Sequence, residues 1–252
     1  MFFWREEEGL GGAMTLPSCE EVEGTTTMKR KRGSATGERL RAAKLAQDRK
    51  DRIDRAYSHD AASCLSGELG ALDGLRIEPG VSWRRLEPSE RESVLDLTER
   101  NMRDLYGEKW EATTKKEKRR DVASRDARYI LVRDPRNDET IVGFANYRFV
   151  LEDEWVVLYV YELQVDATQR RKGLGRALLR LSESLAKWTG VEGVMLTTLK
   201  RNVGACKFYE AQEYFPSAID PSLMFPDQAY RFDYRILAKL FPPQPKERWS
   251  GF

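Results

Sequence analysis

Apolar residues follow a helical period most clearly at residues 174–188. Intervals of three and four separate the apolar side chains Leu174, Leu178, Leu181, Leu185 and Trp188. This spacing predicts an amphipathic helix whose apolar stripe faces a core. A second helix is predicted from Ser89 and Glu92, which have the S-x-x-E spacing of a capping box, to Tyr106.

Shorter apolar runs predict six β-strands, at residues 81–88, 127–133, 140–151, 156–165, 193–199 and 230–240. Polar and mixed segments predict further helices at 112–126 and 202–212. Short turns between the middle strands indicate antiparallel hairpins, whereas the strand–helix–strand order around residue 173 indicates a parallel pair. The pattern therefore predicts a mixed α/β sheet.

Composition divides the chain of 252 residues into four segments. The predicted segments are a disordered stretch at 1–28, a basic helical extension and linker at 29–74, a folded domain at 75–242 and a tail at 243–252. The extension contains a helix at 38–57, and its linker occupies 66–74. An alternative start at Met28 would leave the first segment untranslated.

Charge is uneven along the chain, although the total is only +2. Residues 1–28 hold one arginine against six glutamates, and residues 29–55 hold eleven cations against four anions. The remainder is neutral, so the pattern is that of a charged extension on a neutral domain. The runs "MKRKR" (28–32) and "KKEKRR" (115–120) leave nucleic-acid docking open, although nuclear import and solvated helix faces are commoner origins.

Several classes of site are disfavoured by residue counts. The single histidine, His59, rules out a two-histidine metal site, and its place at the end of a charged, surface-type stretch disfavours a Ser-His-Asp triad. Three scattered cysteines argue against a disulfide framework or a zinc site and favour a reducing compartment. The longest apolar runs fall short of the ~18 residues of a membrane span. We therefore expect no metal and no membrane anchoring.

The segment "QRRKGLGRALL", residues 169–179, is the strongest candidate for chemistry. It places three cations at 170–172 and two glycines, Gly173 and Gly175, where the amphipathic helix begins. The first N–H groups of a helix lack intrahelical partners and carry the positive end of its dipole. Because glycine lets a ligand approach the backbone closely, the segment predicts an anion site.

The loop has neither the Walker pattern nor the third glycine of the dinucleotide fingerprint. "RRKGLG" fits R-x-x-G-x-G/A and resembles the acetyl-CoA loop of the GCN5-related N-acetyltransferase (GNAT) superfamily. Three longer stretches resemble the NatD-type histone N-alpha-acetyltransferases: "VLYVYELQVDATQRRKGLGRALL", "VMLTTLKRNVGACKFY" and "NMRDLYGEKW". The similarity covers about residues 81–240, and the basic helix at 29–57 resembles an extension typical of that family.

This resemblance implies an α/β GNAT fold, with a mixed central sheet, helices on both faces and an N-terminal charged helical extension. It implies acetyl-CoA as co-substrate, with the pyrophosphate on the loop amides and the pantetheine arm along a strand that splays from its neighbour. The positions it assigns to acetyl-CoA are Leu163, Gln164, Val165, Arg170, Arg171, Lys172, Gly173, Leu174, Gly175, Arg176, Thr197 and Asn202.

For catalysis, the resemblance assigns Glu162 to the acidic residue near the reacting amine and places Tyr161 beside it. Strict alternation puts these two side chains on opposite faces of a strand, so one shared site requires a β-bulge. An α-amine, with a pKa of about 7.7–8.0, loses its proton more readily than a lysine at about 10.4. A modest base such as a carboxylate therefore suits an enzyme of protein N-termini.

The resemblance assigns the peptide site to Tyr106, Trp110, Glu152, Tyr161, Glu162 and Tyr234. Trp110 matches a side chain that closes over the substrate. One position departs from the family: Val150 stands where an aspartate helps to hold the first residues of the peptide. We expect Glu152 or Asp153, in the adjoining hairpin, to take over that role.

The expected activity is acetylation of the free N-terminal amine of histones whose tails begin Ser-Gly-Arg-Gly. Transfer to a lysine or another amine, and a non-catalytic module that docks on nucleic acid, remain alternatives. The resemblance and the basic extension imply a monomer in nucleus and cytoplasm, with histone tails as partners. The extension is also expected to contact the ribosome or chromatin.

Overall fold

The structure is a computed structural model that describes residues 35–67, 74–152 and 154–242. The basic run 28–32, most of the linker, Asp153 and the C-terminal tail lie outside the described residues. The described residues belong to two units: the first includes residues 35–48, and the second begins at Arg49 and contains the sheet.

Seven strands form one sheet in the part of the chain that is described. They are β1 (Arg76–Ser82), β2 (Arg128–Asp134), β3 (Thr140–Glu152), β4 (Trp155–Val165), β5 (Gly193–Leu199), β6 (Phe215–Pro216) and β7 (Tyr234–Leu240). Their order is β1-β2-β3-β4-β5-β7-β6, and only β4 and β5 pair in parallel. The predicted mixed sheet is confirmed.

The described helices are α1 (Ala35–Ser58), α2 (Ala61–Leu65), α3 (Pro88–Tyr106), α4 (Lys115–Val122), α5 (Leu174–Trp188), α6 (Val203–Glu210) and α7 (Pro221–Met224). A π-helical turn at Trp110–Thr114 leads into α4, and a 3-10 turn at Ala167–Gln169 precedes α5. The predicted N-terminal helix and the predicted GNAT arrangement of sheet and helices are both present.

Each face of the sheet is covered by its own core. On one face, Leu178 and Leu185 of α5 pack with Leu158 and Val160 of β4, and all four are at most 3% exposed. Burying each such side chain stabilises the fold by ~1.5–3 kcal/mol. On the other face, Val94 of α3 belongs to a second core. Helices therefore cover both faces, as predicted.

The end of α1 and the whole of α2 contribute to the first core, where Ala56, Cys64 and Leu65 are buried. These small and apolar side chains tie the segment before residue 75 to the sheet. The unit that contains the sheet begins at Arg49.

Three local predictions need correction. Helix α3 begins at Pro88, because proline suits the first helical position, and the backbone N–H of Glu87 donates to the Glu90 carboxylate at 2.8 Å. Ser89 lies inside the first turn and is not the cap. Trp188 is 42% exposed, so the buried stripe of α5 ends at Leu185.

Strand boundaries also differ from prediction. β1 ends at Ser82, and Trp83–Arg85 forms a 3-10 turn in place of the predicted strand. The two-residue strand β6 and helix α7 were not predicted, because segments this short carry no periodic signal.

Candidate active site

A β-bulge at Tyr161 decides which side chains of β4 share a face. Asn146 of β3 pairs with Glu162, but the next residue, Tyr147, pairs with Val160, so Tyr161 is the extra residue. The bulge brings Glu162 to the same face of the sheet as Tyr161. The β-bulge that a site shared by Tyr161 and Glu162 requires is therefore present.

The bulge also determines which face of the sheet Glu162 occupies. Leu158 and Val160, its partners in strict alternation, face the α5 side of the sheet. Glu162 instead faces helix α4, where Lys118 contacts it. It is 4% exposed because α4 and its neighbours cover it, and not because it shares a face with those two residues.

Both oxygens of the Glu162 carboxylate are held by hydrogen bonds. Lys118 Nζ donates to Oε1 at 2.5 Å, and Gln164 Nε2 donates to Oε2 at 2.7 Å. Burial lowers the pKa of Lys118, but the nearby Glu162 carboxylate outweighs it and leaves that pKa above its ordinary value. Lys118 is therefore an ammonium at neutral pH, and the pair is a partly buried ion pair.

Two tyrosines of β4 form a wall beside Glu162. The ring centroids of Tyr159 and Tyr161 are 5.1 Å apart, and the Arg148 guanidinium lies 3.9 Å from the Tyr161 ring centroid. The hydroxyls of Tyr159 and Thr197 share a hydrogen bond of 2.5 Å. Burial raises the pKa of Tyr159 to about 12 and raises that of Tyr161 further, so both carry their protons at neutral pH.

The other predicted peptide-site aromatics lie near Lys118 and Tyr159. Tyr106, at the end of α3, has its ring centroid 5.9 Å from Lys118 Nζ, and burial raises its pKa. The ring centroids of Trp110 and Tyr106 are 6.2 Å apart. Trp110 is 2% exposed, so it lies inside the protein in this structure. Tyr234 begins β7 and lies close enough to Tyr159 to help raise the pKa of that tyrosine.

Glu152 ends β3 and lies two residues beyond Val150 on the same strand. Burial raises the pKa of Glu152, and its carboxylate contributes to the raised pKa values of Tyr159 and Tyr161. Val150 packs on the apolar group around Tyr159. Of the two predicted replacements for the family aspartate, Glu152 is close to the tyrosine wall, and Asp153 lies outside the described residues.

The predicted anion loop has the backbone that a phosphate requires. Gly173 adopts φ +87° as the residue before α5, a conformation that favours glycine, and it offers no side chain to cap the helix. The first N–H groups of α5 therefore remain available to an anion. Arg170, Arg171 and Lys172 are exposed next to them, as is Arg176 in the first turn of α5.

Strand β4 separates from β5 as it approaches this loop. The two strands pair only from Leu158 to Val160, so Leu163, Gln164 and Val165 pair with β3 on one edge and have no β5 partner on the other. This is the splay that the resemblance implies for the pantetheine arm. Uncapped amides, loop cations and a strand with an open edge fit coenzyme A.

Two predicted coenzyme contacts have protein partners. Asn202 is the N-cap of α6, where its side chain accepts a hydrogen bond from the Ala205 N–H at 3.2 Å. Thr197 is exposed on β5 and shares its hydroxyl with Tyr159. Both lie on the β5 side of the gap between the strands.

Four side chains of the site were missed from the sequence: Asn101, Lys118, Arg148 and Tyr159. Lys118 lies within "KKEKRR", a run that is commonly a solvated helix face, and Asn101 begins "NMRDLYGEKW", where the resemblance assigns roles only to Tyr106 and Trp110. Their roles depend on how α3 and α4 pack on the sheet. A buried lysine in a polar helix leaves no local signal in the sequence.

Within the described residues, no cluster of three His, Cys, Asp or Glu side chains is arranged to hold a metal ion. The described helices also include none long and apolar enough to cross a membrane.

A sequence model of the Acetyltransferase (GNAT) family matches residues 92–214, which include most of α3, the strands β2 to β5, the loop, α5 and α6. The acetyltransferase from Streptococcus agalactiae is 19% identical, with 67% of this chain and 99% of that chain covered and a TM-score of 0.49. PaiA N-acetyltransferase from Thermoplasma acidophilum, solved with coenzyme A, is 15% identical, with 66% and 99% covered and a TM-score of 0.48. Nourseothricin acetyltransferase is 20% identical, with a TM-score of 0.38. The match covers 46% of this chain and 66% of that protein.

Proposed function

We propose that the chain is an acetyltransferase of the GNAT superfamily, since a sequence model of that family matches residues 92–214. We propose further that it transfers acetyl groups from acetyl-CoA to a protein N-terminus. The proposed substrates are histones whose tails begin Ser-Gly-Arg-Gly. The proposed enzyme is thus an N-terminal L-serine N-alpha-acetyltransferase of the NatD type, which acts in nucleus and cytoplasm and contacts chromatin or the ribosome through its basic extension.

The observation that carries the proposal is the buried carboxylate of Glu162 beside the open edge of β4. The bulge at Tyr161 brings this carboxylate to the tyrosine wall. An α-ammonium that enters the pocket meets an anion that binds it and then accepts its proton, directly or through one water. A pKa of about 7.7–8.0 makes this transfer easier for an N-terminus than for a lysine.

The coenzyme supplies the acetyl group as a thioester, and the chain supplies the surroundings. The amides at the start of α5 and the cations Arg170, Arg171, Lys172 and Arg176 would hold the pyrophosphate. The open edge of β4 at Leu163–Val165 would bind the pantetheine arm, and its N–H groups favour negative charge on the carbonyl oxygen. Tyr161 and Tyr159 keep their protons at neutral pH, so either hydroxyl can stabilise a leaving thiolate by donating a hydrogen bond to it.

Selectivity for a basic tail follows from the carboxylates near the pocket. Glu152 lies at the hairpin end of the tyrosine wall. We propose that Glu152 binds the arginine at the third position of Ser-Gly-Arg-Gly. It would thereby replace the family's aspartate, whose position is occupied by Val150 in this chain. A carboxylate pairs with a guanidinium more specifically than with an ammonium.

The alternative of nucleic-acid docking is not favoured by α4. In the run 115–120, Lys115 Nζ lies 3.1 Å from the Glu99 carboxylate, and Lys118 Nζ lies 2.5 Å from that of Glu162. These two cations pair with carboxylates of the protein itself, which weakens the run as a phosphate-binding surface, although Lys116, Arg119 and Arg120 are exposed.

A peptide panel tests the proposal. Acetyl-CoA turnover is measured on Ser-Gly-Arg-Gly peptides with a free amine, on the same peptides with a blocked amine, and on blocked peptides that contain lysine. Turnover that requires the free amine supports the proposal. Equal turnover on the blocked lysine peptide would instead assign a lysine acetyltransferase, and DNA binding with no turnover would assign a docking module.

A further inference from the structure

A chain of hydrogen bonds joins the anion loop to the Glu162 carboxylate. Arg170 Nη2 donates to Asn101 Oδ1 at 2.5 Å, and Asn101 Nδ2 donates to Gln164 Oε1 at 2.9 Å. Gln164 Nε2 donates in turn to Glu162 Oε2 at 2.7 Å. Side chains from the loop, α3 and β4 thus form one continuous path. Gln164 and Glu162, at its buried end, are each 4% exposed.

The direction of each bond in this path is fixed by its neighbours. Arg170 has only donors, so it must face the oxygen of the Asn101 amide. The Val165 carbonyl accepts from Asn101 Nδ2 at 3.2 Å, which fixes the amide nitrogen on the other side. Gln164 must then turn its oxygen to Asn101 and its nitrogen to Glu162. All three bonds donate in one direction, from the cation to the carboxylate.

We propose that Asn101 is a positioning residue that couples phosphate binding at the loop to the carboxylate of Glu162. This inference rests on the proposed function, in which the loop binds coenzyme A and Glu162 accepts the proton. Arg170 uses two of its five N–H donors on Asn101 and Val165, so it has others for a phosphate oxygen. Hydrogen bonds in series polarise one another, which carries the effect along the path.

The coupling has a defined sign. A phosphate that binds Arg170 takes up part of its positive charge, so the bond from Gln164 to Glu162 weakens. Lys118 still holds the other oxygen of the carboxylate. Glu162 Oε2 becomes more available to the amine when the loop is filled, so the acetyl donor prepares the pocket for the acceptor.

The substitution Asn101→Asp breaks the path with little change of shape. A carboxylate accepts from Arg170 but has no N–H to donate to Gln164 or Val165. The dissociation constant of coenzyme A is measured by titration calorimetry for the wild type, N101D, E162Q and the double variant. No peptide is present, so the result does not depend on which amine the enzyme acetylates.

We expect E162Q to lower the dissociation constant of coenzyme A about three- to tenfold when residue 101 is Asn, because the anion no longer draws on the charge of Arg170. We expect a change below about twofold in the N101D background, since the path is interrupted. Equal factors in the two backgrounds would overturn the proposal. Gln164→Leu interrupts the next bond and replaces N101D if that variant fails to fold.

Arg100→Ala is the matched control, because Arg100 lies next to Asn101 on α3 and pairs with Asp166 at 3.2 Å without joining the path. The response to E162Q should persist in the R100A background. If the wild type does not bind coenzyme A, the loop assignment fails and the coupling fails with it. If coenzyme A binds with the expected coupling but the Ser-Gly-Arg-Gly peptide is not acetylated, only the proposed acceptor is wrong.

Discussion

The anion loop and the acceptor pocket are built in different ways. The loop is local: a strand end, three cations, Gly173 and the first turn of α5 follow one another within residues 165–176. The pocket is assembled from distant parts of the chain, because Lys118, Glu162 and Tyr234 come from α4, β4 and β7. The loop offers mainly backbone N–H groups, whereas the pocket offers side chains whose positions depend on packing.

This difference has a consequence for what each region tolerates. In the loop, the substitution of one side chain should reduce the affinity for coenzyme A only in part, because the backbone N–H groups remain. A pocket with one buried carboxylate and one paired ammonium depends on each member, since the removal of either leaves an uncompensated charge. We therefore expect substitutions in the pocket to act on turnover and stability, and substitutions in the loop to act on coenzyme affinity.

The largest expected effect comes from Glu162→Gln. Loss of the proton acceptor should reduce kcat about 10²- to 10⁴-fold while coenzyme A still binds. Steady-state turnover at saturating acetyl-CoA measures the loss, and Glu92→Gln, an exposed change on α3, serves as control. A kcat within about threefold of the wild type would show that Glu162 is not the base.

Lys118→Met should lower the free energy of unfolding by about 2 kcal/mol, less than for a fully buried pair because Lys118 is 21% exposed. The double variant with Glu162→Gln should recover part of this loss. Urea unfolding measures both, with Lys116→Met, exposed on the same helix, as control.

The same pair predicts a pH dependence. Because the pKa of Lys118 is raised above its ordinary 10.5, its contribution is complete at neutral pH and is lost as the pH rises beyond about 10.5. Wild-type and K118M stabilities should therefore converge in alkali. A constant difference from pH 7 to pH 11 would contradict the ion pair.

Gly173→Ala tests the loop. A side chain at φ +87° strains the backbone, although open space surrounds the position, so the amides at the start of α5 should shift. We expect the KM for acetyl-CoA to rise about tenfold with kcat nearly unchanged. Gly204→Ala in α6 is the control, and a fall in kcat without a rise in KM would place Gly173 outside the coenzyme site.

Glu152→Gln should have the smallest effect on turnover. The KM for Ser-Gly-Arg-Gly should rise about fivefold, and this difference should vanish when norleucine replaces the arginine.

The same variant tests the burial of Glu152. Because burial raises the pKa of Glu152, its ionised form costs stability, and the variant should melt about 2 °C higher than the wild type at pH 7 but not near pH 4. The neighbouring Glu154→Gln is the control.

The two regions also differ in what the sequence could predict. The cations, the glycines and the first residues of the α5 stripe follow one another directly in the sequence. The pattern therefore predicts the loop and its helix together. The bulge at Tyr161 was recognised as a requirement, because alternation cannot place Tyr161 and Glu162 on one face. Lys118 and Asn101 were missed, since their contacts depend on the packing of α3 and α4 on the sheet. Strand β6 is too short for any pattern.

The most direct test of the account is a crystal structure with a bisubstrate compound, in which coenzyme A is joined through an acetyl bridge to the amine of Ser-Gly-Arg-Gly. The account predicts the diphosphate on the amides after Gly173 and the bridged nitrogen within hydrogen-bond reach of Glu162, directly or through one water. A nitrogen on the far side of the sheet from Glu162, or a diphosphate away from the start of α5, would contradict it.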